Sequence, residues 1–527
     1  MDEFDPGYRG TDETHRDKEV NEMKIALALR TVAVAAVTAI AMAGCTAGGT
    51  SDEPSGGNET LRLSQGGTPS NFTIGEWGGG ENMLSTAVYD TVITMGVDGK
   101  LLPGIAKSWQ YDDSRTKLTL DIRTGMKFTD GEALDAEAVS ASLEALRKGT
   151  VSQAAWARVA SVEPTDDSTV VVTLSAPDAA FLPALTNSNG AVGAPKTLTA
   201  ESSQLKPVGS GPYTLNDQKT VVGSKYVLDR NPDHWNVASY PFEHVEVSIL
   251  ADPTAAQNAL RSGQLDVLGA AENADQYPAA QFNSGENKPT SLAVLWLSDR
   301  AGTIVPALAD TRVRQAINLA FDRDTIASNL IGEGSSATNQ VVSDIDSAFS
   351  KDLLDVTRYD VDKAKKLMAE AGYADGFSVT MPSTPYSVQY ESVMTQSLAD
   401  IGITVNYESV ALTDFFTKVA TKNYAMYFMY NGMASNNAVD IKNSLGGIFD
   451  PFGSATPELT QLIAAADAAS DEEQGAAWGD VNEYLVRNAW NAPLNQVNGF
   501  WVASKKVTFT APTQYNLNLL PYAPAGA

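Results

Sequence analysis

The chain of 527 residues has one cysteine and three histidines. A lone thiol excludes an intramolecular disulfide, so the folded body has to be held by burial. Only His234 and His244 follow that cysteine. Nickel or haem ligation calls for imidazoles or several converging donors, and no metal or other cofactor is expected. Basic residues are scarce as well, with 37 Lys and Arg against 64 Asp and Glu. Of the formal net charge of −27, −3 falls on residues 1–44, leaving −24 on the remainder. Such a surface repels nucleic acid and anionic headgroups, so neither is an expected partner. Long apolar runs are missing too. Residues 31–43 and 291–297 fall short of the ~20 that a spanning helix needs.

Hydrolase motifs are also wanting. No Gly-x-Ser-x-Gly occurs, because Val208 stands where the first glycine before Ser210 would be. Ser203-Gln-Leu-Lys206 and Ser114-Arg-Thr-Lys117 fit Ser-x-x-Lys but have no accompanying Lys-Thr-Gly. The carboxylate pairs Asp112-Asp113, Asp166-Asp167 and Glu472-Glu473 are chain neighbours, as solvated pairs are. No catalytic residue is assigned and the chain is not read as an enzyme. An exported hydrolase, or a receptor-coupled or chaperone-like binding protein, stands as the reading from another class.

What is present begins with export. Lys24 and Arg30 precede the apolar run, and small residues lead into the cysteine as Met42-Ala43-Gly44-Cys45. A basic segment, an apolar segment and a small-residue cleavage site make a secretory signal. The last four residues resemble the lipobox of bacterial lipoproteins. That resemblance implies that Cys45 is alkylated with a diacylglycerol and becomes the first residue. The protein would then be lipid-anchored on the extracytoplasmic face of the cell membrane, touching it through that anchor only. Residues 1–22 are acidic and polar, so they are expected to be disordered or to precede the true start at Met23. Residues 23–44 are the expected signal, and the Gly-, Ser- and Pro-rich stretch 45–57 a flexible tether.

Beyond the tether, strands and helices alternate without a fixed repeat. Leu61-Arg-Leu63, Leu118-Thr-Leu-Asp-Ile122, Val245-Glu-Val-Ser-Ile249 and Ile403-Thr-Val-Asn-Tyr407 alternate apolar and polar residues, as half-buried strands do. Asp252-Pro253 supplies a cap and a first-turn proline, and Gly263 a stop. Val313, Ala316, Ile317, Ala320 and Phe321 recur at helical spacing, as do Ala364, Leu367, Met368 and Ala371, with Gly372 as stop. Trp478, Val481 and Leu485 give another helix. The mixture predicts an α/β fold.

Seven strings in order carry a family resemblance. They are Asp98-Gly-Lys-Leu-Leu-Pro-Gly-Ile-Ala-Lys-Ser-Trp109; Leu118 through Gly131; Pro207-Val-Gly-Ser-Gly-Pro-Tyr213; Asp229-Arg-Asn-Pro-Asp-His-Trp235; Arg261-Ser-Gly-Gln-Leu-Asp266; Val313 through Asp324; and Tyr359 through Tyr373. Together they resemble the peptide/nickel (oligopeptide/dipeptide-binding, family 5) class of ABC-transporter solute-binding proteins. The resemblance implies a two-lobed periplasmic-binding-protein fold, type II, cluster C, with an extra inserted N-terminal domain. Lobe I would comprise 58–85, 188–291 and 496–527, the inserted domain 86–187 and lobe II 292–495. The resemblance implies that an oligopeptide or similar extended polar solute is captured by lobe closure of a monomer and passed to ABC importer permease subunits.

Four stretches map onto the cleft of that class. Trp77, Gly78 and Gly79 form a loop where glycines let a ligand approach backbone and the indole offers a face. Gly269 and Ala270 follow a strand. Asn431, Met433 and Asn436 lie where oligopeptide binders of the class carry an aspartate for the peptide amine. Here the residues are Ala434-Ser-Asn-Asn437, with no carboxylate before Asp440, and Asn431 stands where tryptophan is common. An amine ligand would lose a charge partner, a loss of about 2–5 kcal/mol in a desolvated site. An oligosaccharide is therefore the alternative ligand. Asn495 and Gln496 form the fourth stretch, and Trp156 is a further candidate stacking face.

Overall fold

The computed structural model describes residues 59–69, 71–76, 82–198, 205–271, 273–288, 290–513 and 518–526, all within one unit, 57–527. Cys45 and the signal and tether segments lie outside the described residues.

The first sheet starts where alternation begins. Strand Thr60–Gln65 pairs in parallel with His244–Ile249, followed by Lys225–Arg230 and Tyr213–Leu215. Leu61, Leu63, Val245 and Val247 face inward, with polar residues between them facing out. A second four-stranded sheet comes from within 86–187. Its strands Ala106–Tyr111, Lys117–Ile122, Thr169–Leu174 and Val159–Asp166 are antiparallel throughout. Leu118, Leu120, Val170 and Val172 from this sheet enter the same apolar cluster as Leu61 and Val247. A smaller sheet sets Phe500–Ser504 between Val267–Ala271 and Phe282–Glu286.

The other lobe is built around Ser291–Leu297, flanked by Met426–Gly432 and Ala492–Val497, with Ser335–Ala337 at the edge. This strand does not alternate polar and apolar, and its packing explains why. Ala293, Leu295 and Leu297 enter one apolar cluster, whereas Leu292, Val294 and Trp296 enter another on the opposite face. A strand covered on both faces reads as a continuous apolar run. Helices Thr311–Leu319, Val361–Glu370 and Val388–Ala399 supply the first cluster, and Pro457–Ala468 and Gln474–Arg487 the second.

Capping follows the local chemistry. Asp252 accepts from the Thr254 N–H at 2.8 Å, Pro253 occupies the first turn, and Gly263 takes φ +74 beyond Pro253–Arg261. Gly372, at φ +87, follows the end of Val361–Glu370. The helical spacing through Phe321 overran the element, which ends at Leu319. Ala320, its C-cap, and Phe321 beyond it are buried, so burial continues where the helix does not.

Two segments connect the lobes. Phe282–Glu286 leads into Ser291–Leu297, and Ala492–Val497 leads back into Phe500–Ser504; each pair is antiparallel on its own side. Between the sheets the segments stay joined. The Asn287 N–H donates to the Gly499 carbonyl at 3.1 Å and the Thr290 N–H to the Val497 carbonyl at 3.0 Å. The Asn498 side-chain amide donates to Glu286 at 2.6 Å. The result is a two-stranded ribbon running from one lobe to the other.

Arg300, just past the central strand, is buried. It pairs with the buried Asp450 at 2.6 Å, donates to the carbonyls of Leu297 and Trp490, and lies 4.4 Å over the Trp490 ring. Arg300→Met removes the cation and strands the Asp450 carboxylate. It is expected to cost about 3–5 kcal/mol, read as a lower denaturant midpoint. A loss below ~1 kcal/mol would show that Ser454, which also donates to Asp450, suffices alone.

Candidate functional site

A cavity of about 450 Å³ lies between segments 151–189 and 434–443. On one side Asn187 and Asn189 present amides, beside Thr186 and the small residues Ala180 and Ala184. On the other, Asn436, Asn443 and Lys442 line the wall with Ala434 and Val439. The lining is therefore amide and small apolar surface, with Asp178 and Lys442 its charged members. Those two neutralise each other, Lys442 Nζ to Asp178 Oδ1 at 2.6 Å.

Local turns position these amides. Asn187 accepts from both the backbone and side-chain N–H groups of Asn189, at 3.0 and 3.1 Å. Asn436 caps helix Asn437–Ser444, accepting from the Val439 N–H at 3.2 Å, which leaves its NH₂ to donate elsewhere. The turn before it is held by a buried carboxylate. Asp440 accepts from the N–H groups of Ala434 at 2.7 Å and Asn436 at 3.2 Å, while Ser435 takes φ +51. Desolvation pushes the Asp440 carboxyl up to about 8, and the neighbouring Asp346 adds to this. Burial likewise pushes Asp346 up to about 7. Asp440 thus serves the turn and offers no charge to a ligand.

Of the residues expected in the cleft, Asn436 lines this cavity. Trp77, Gly78 and Gly79 lie outside the described residues. Gly269 and Ala270 are exposed, bulged out where Leu268 and Ala271 pair with Val502 and Phe500, and the Gly269 carbonyl accepts from Asn287 at 2.8 Å. Asn431 and Met433 are buried, Met433 within the apolar cluster on one face of the central strand. Asn495 is buried too, and it accepts from Tyr390 and donates to Ser335, both at 3.0 Å. Gln496 donates to the Val342 carbonyl at 3.1 Å from a fully buried position. Their side chains satisfy the interior of the sheet, so neither faces the cavity. Trp156 is 2 % exposed, with its ring edge-on to Phe181, and it donates to the Asn189 carbonyl at 3.2 Å. It supports the amide loop from beneath and presents no open face. Asp178, Asn187, Asn189, Lys442 and Asn443 were not anticipated. The Asn-Ser-Asn spacing at 187–189 is an Asx-turn signal that marks one of these loops.

A larger recess of about 740 Å³ is lined by Arg123, Phe128, Ser210, His234 and Trp235, among others. Arg123, Ser210 and His234 are occupied with the fold, while the buried Trp235 indole N–H has no hydrogen-bond partner among the described residues. Arg123 lies 3.9 Å over the Trp235 ring and donates to the Gly104 carbonyl at 2.8 Å. Ser210 and His234 each bond a different oxygen of Asp90, at 3.0 and 2.9 Å. The histidine does not lie between serine and carboxylate, so no nucleophile–base relay exists there. His244 bonds Asp229 at 2.8 Å, and among the described residues no group of three or more His, Cys, Asp or Glu is placed to hold a metal. No helix among them is long and apolar enough to cross a membrane.

Residues 100–447 match the family described as Bacterial extracellular solute-binding proteins, family 5 Middle. Heme-binding protein A of Haemophilus influenzae is 28% identical over 356 residues, 59% of this chain and 62% of that protein. The nickel-binding periplasmic protein of Escherichia coli K12 is 25% identical over 309 residues, 54% of this chain and 56% of that protein. The matches thus span less than two thirds of these relatives' lengths. In fold, the chain resembles the periplasmic binding protein DppA from Helicobacter pylori, solved in complex with the peptide STSA. The TM-score is 0.72 at 21% identity, covering 88% of this chain and 98% of that one.

The buried carboxyls set a pH dependence. In the native state Asp346 and Asp440 hold protons that the unfolded chain releases near pH 4, so stability falls as pH rises from there through about 7 to 8. The thermal midpoint is expected to be higher at pH 5.5 than at pH 8.5. Asp440→Asn should flatten that slope. An unchanged slope in the variant would place its origin elsewhere.

Proposed function

The chain belongs to the bacterial extracellular solute-binding proteins of family 5, and from that premise we propose that it captures an extended, uncharged polar solute, an oligopeptide or an oligosaccharide, in the amide-lined cavity. The observation that carries this reading is the lining itself. Asn187, Asn189, Asn436 and Asn443 offer hydrogen bonds of both kinds, while Lys442 and Asp178 cancel each other's charge. A solute bridging 187–189 and 436–443 binds the closed arrangement better than an open one, and only such differential contact drives closure.

Capture without chemistry fits an ABC importer, with the loaded protein passing its solute to permease subunits. We assign 58–85, 188–291 and 496–527 to one lobe, 86–187 to a domain inserted in it, and 292–495 to the other lobe. A diacylglycerol on Cys45, followed by the tether 45–57, would hold the body at the extracytoplasmic face of the membrane. The relatives and neighbours named above bind haem, nickel and a peptide by their names and titles, so membership leaves the solute open. The lining narrows it.

Thermal unfolding against a panel of peptides, oligosaccharides and Ni²⁺ tests the reading. A solute at 100 times its Kd adds about 2.7 kcal/mol of stability. Asn436→Ala and Asn189→Ala should each weaken that solute by about tenfold, the worth of one hydrogen bond of ~1.4 kcal/mol. A response to Ni²⁺ alone would overturn the proposal. For the anchor, Cys45→Ser is expected to move the protein from the membrane fraction to the soluble fraction, and continued membrane retention would refute lipidation at that residue.

A further inference from the structure

The charges at the cavity wall form an enclosure around one ammonium group. Lys442 Nζ lies 2.6 Å from Asp178 Oδ1 and 2.5 Å from Asp467 Oδ1, and 5.6 Å over the ring of Trp478. Two carboxylates and an indole face are what a protein uses to hold a ligand cation. Asp467 and Trp478 are buried, standing on helices Pro457–Ala468 and Gln474–Arg487, so the enclosure is rigid on that side. Asp178 reaches it from the opposite wall, next to helix Phe181–Ala184. Asp467 has a second cation in Arg158 at 2.7 Å, which makes the group of four neutral as it stands. Without the lysine it would carry one uncompensated negative charge, at a position that opens on the cavity.

We propose that Lys442 is a specificity-determining residue, a tethered ammonium that fills a cation enclosure formed by Asp178, Asp467 and Trp478 and thereby excludes solutes bearing a primary amine at that end of the cavity. The idea rests on the cavity being the solute site, as argued above. A free amine reaching this wall meets carboxylates already engaged and a like charge beside them, and its desolvation goes uncompensated. A blocked or neutral end loses nothing. Asp440, the carboxylate on the same helix as Lys442, cannot stand in, because its two oxygens are held by the 434–436 turn.

The test uses the full chain and the variants Lys442→Ala and Lys442→Gln. Each is titrated with pairs of peptides identical except for a free or acetylated N-terminus, and its thermal midpoint is followed with ethylammonium chloride against sodium chloride. Wild type should favour the acetylated member of each pair and ignore ethylammonium. In the variants the preference should shift toward the free amine by at least tenfold, and ethylammonium should raise the midpoint. An unchanged ratio, or a folded Lys442→Ala or Lys442→Gln indifferent to ethylammonium, would overturn the proposal. If no peptide binds wild type, the solute reading fails by itself, while the ethylammonium response still decides whether the enclosure takes a free ammonium.

Discussion

A carboxylate taken out of water has to be met by donors, and Asp467, 2 % exposed, is met from two directions. Arg158 and the Ala179 N–H approach from the segment that carries the amide loop, at 2.7 and 3.1 Å, and Lys442 from its own side of the cavity. These partners are separated from it along the chain by 309 and 288 residues for Arg158 and Ala179. Few apolar contacts assist at this place: Ala179 enters the cluster on the far wall and Ala180 packs against it. The walls of the cavity are thus registered to each other by charge and hydrogen bonding, which break and reform more readily than an apolar core. The closure proposed above would act on this junction.

The rest of the architecture isolates this junction. On the far lobe, the central strand is clamped by apolar clusters on both faces, and Arg300 and Asp450 lock its end. On the near side, two four-stranded sheets share one cluster, so 86–187 and the flanking segments pack as one mass. Between the rigid bodies, the described contacts include the crossing ribbon, the charged contact around Asp467 and the Arg115–Asp471 pair at 2.9 Å. The ribbon's hydrogen bonds run between its own two strands, at 287 to 499 and 290 to 497, and rotation of one lobe need not break them.

Much of this was legible from residue order. Period-two alternation located the strands at 60–65, 117–122 and 244–249, and capping chemistry located helix Pro253–Arg261 at both ends. The family strings carried the fold. The cavity was legible in one residue, Asn436, whose role as a cap also places it at the wall. Asn495 and Gln496 misled because polar side chains at the end of a strand look available. Inside this sheet they are spent on Tyr390, Ser335 and Val342. Trp156 misled for the opposite reason, since a large aromatic is equally suited to stack on a ligand and to support a loop. Asp178 and Lys442 were invisible because their significance lies in each other, 264 positions apart, and no local pattern records a pairing of that range.

The placement of Phe500–Ser504 as the middle strand of a three-stranded sheet has a bearing on biogenesis. Its neighbours, Val267–Ala271 and Phe282–Glu286, are made more than two hundred residues earlier and have no pairing with each other. Until 500–504 arrives, both present unpaired edges. Vectorial synthesis therefore cannot finish the near lobe before the far lobe has emerged in full, and contacts of such long range are slow to form. A chain with that dependency keeps two strands of the near lobe unpaired until 500–504 has been made.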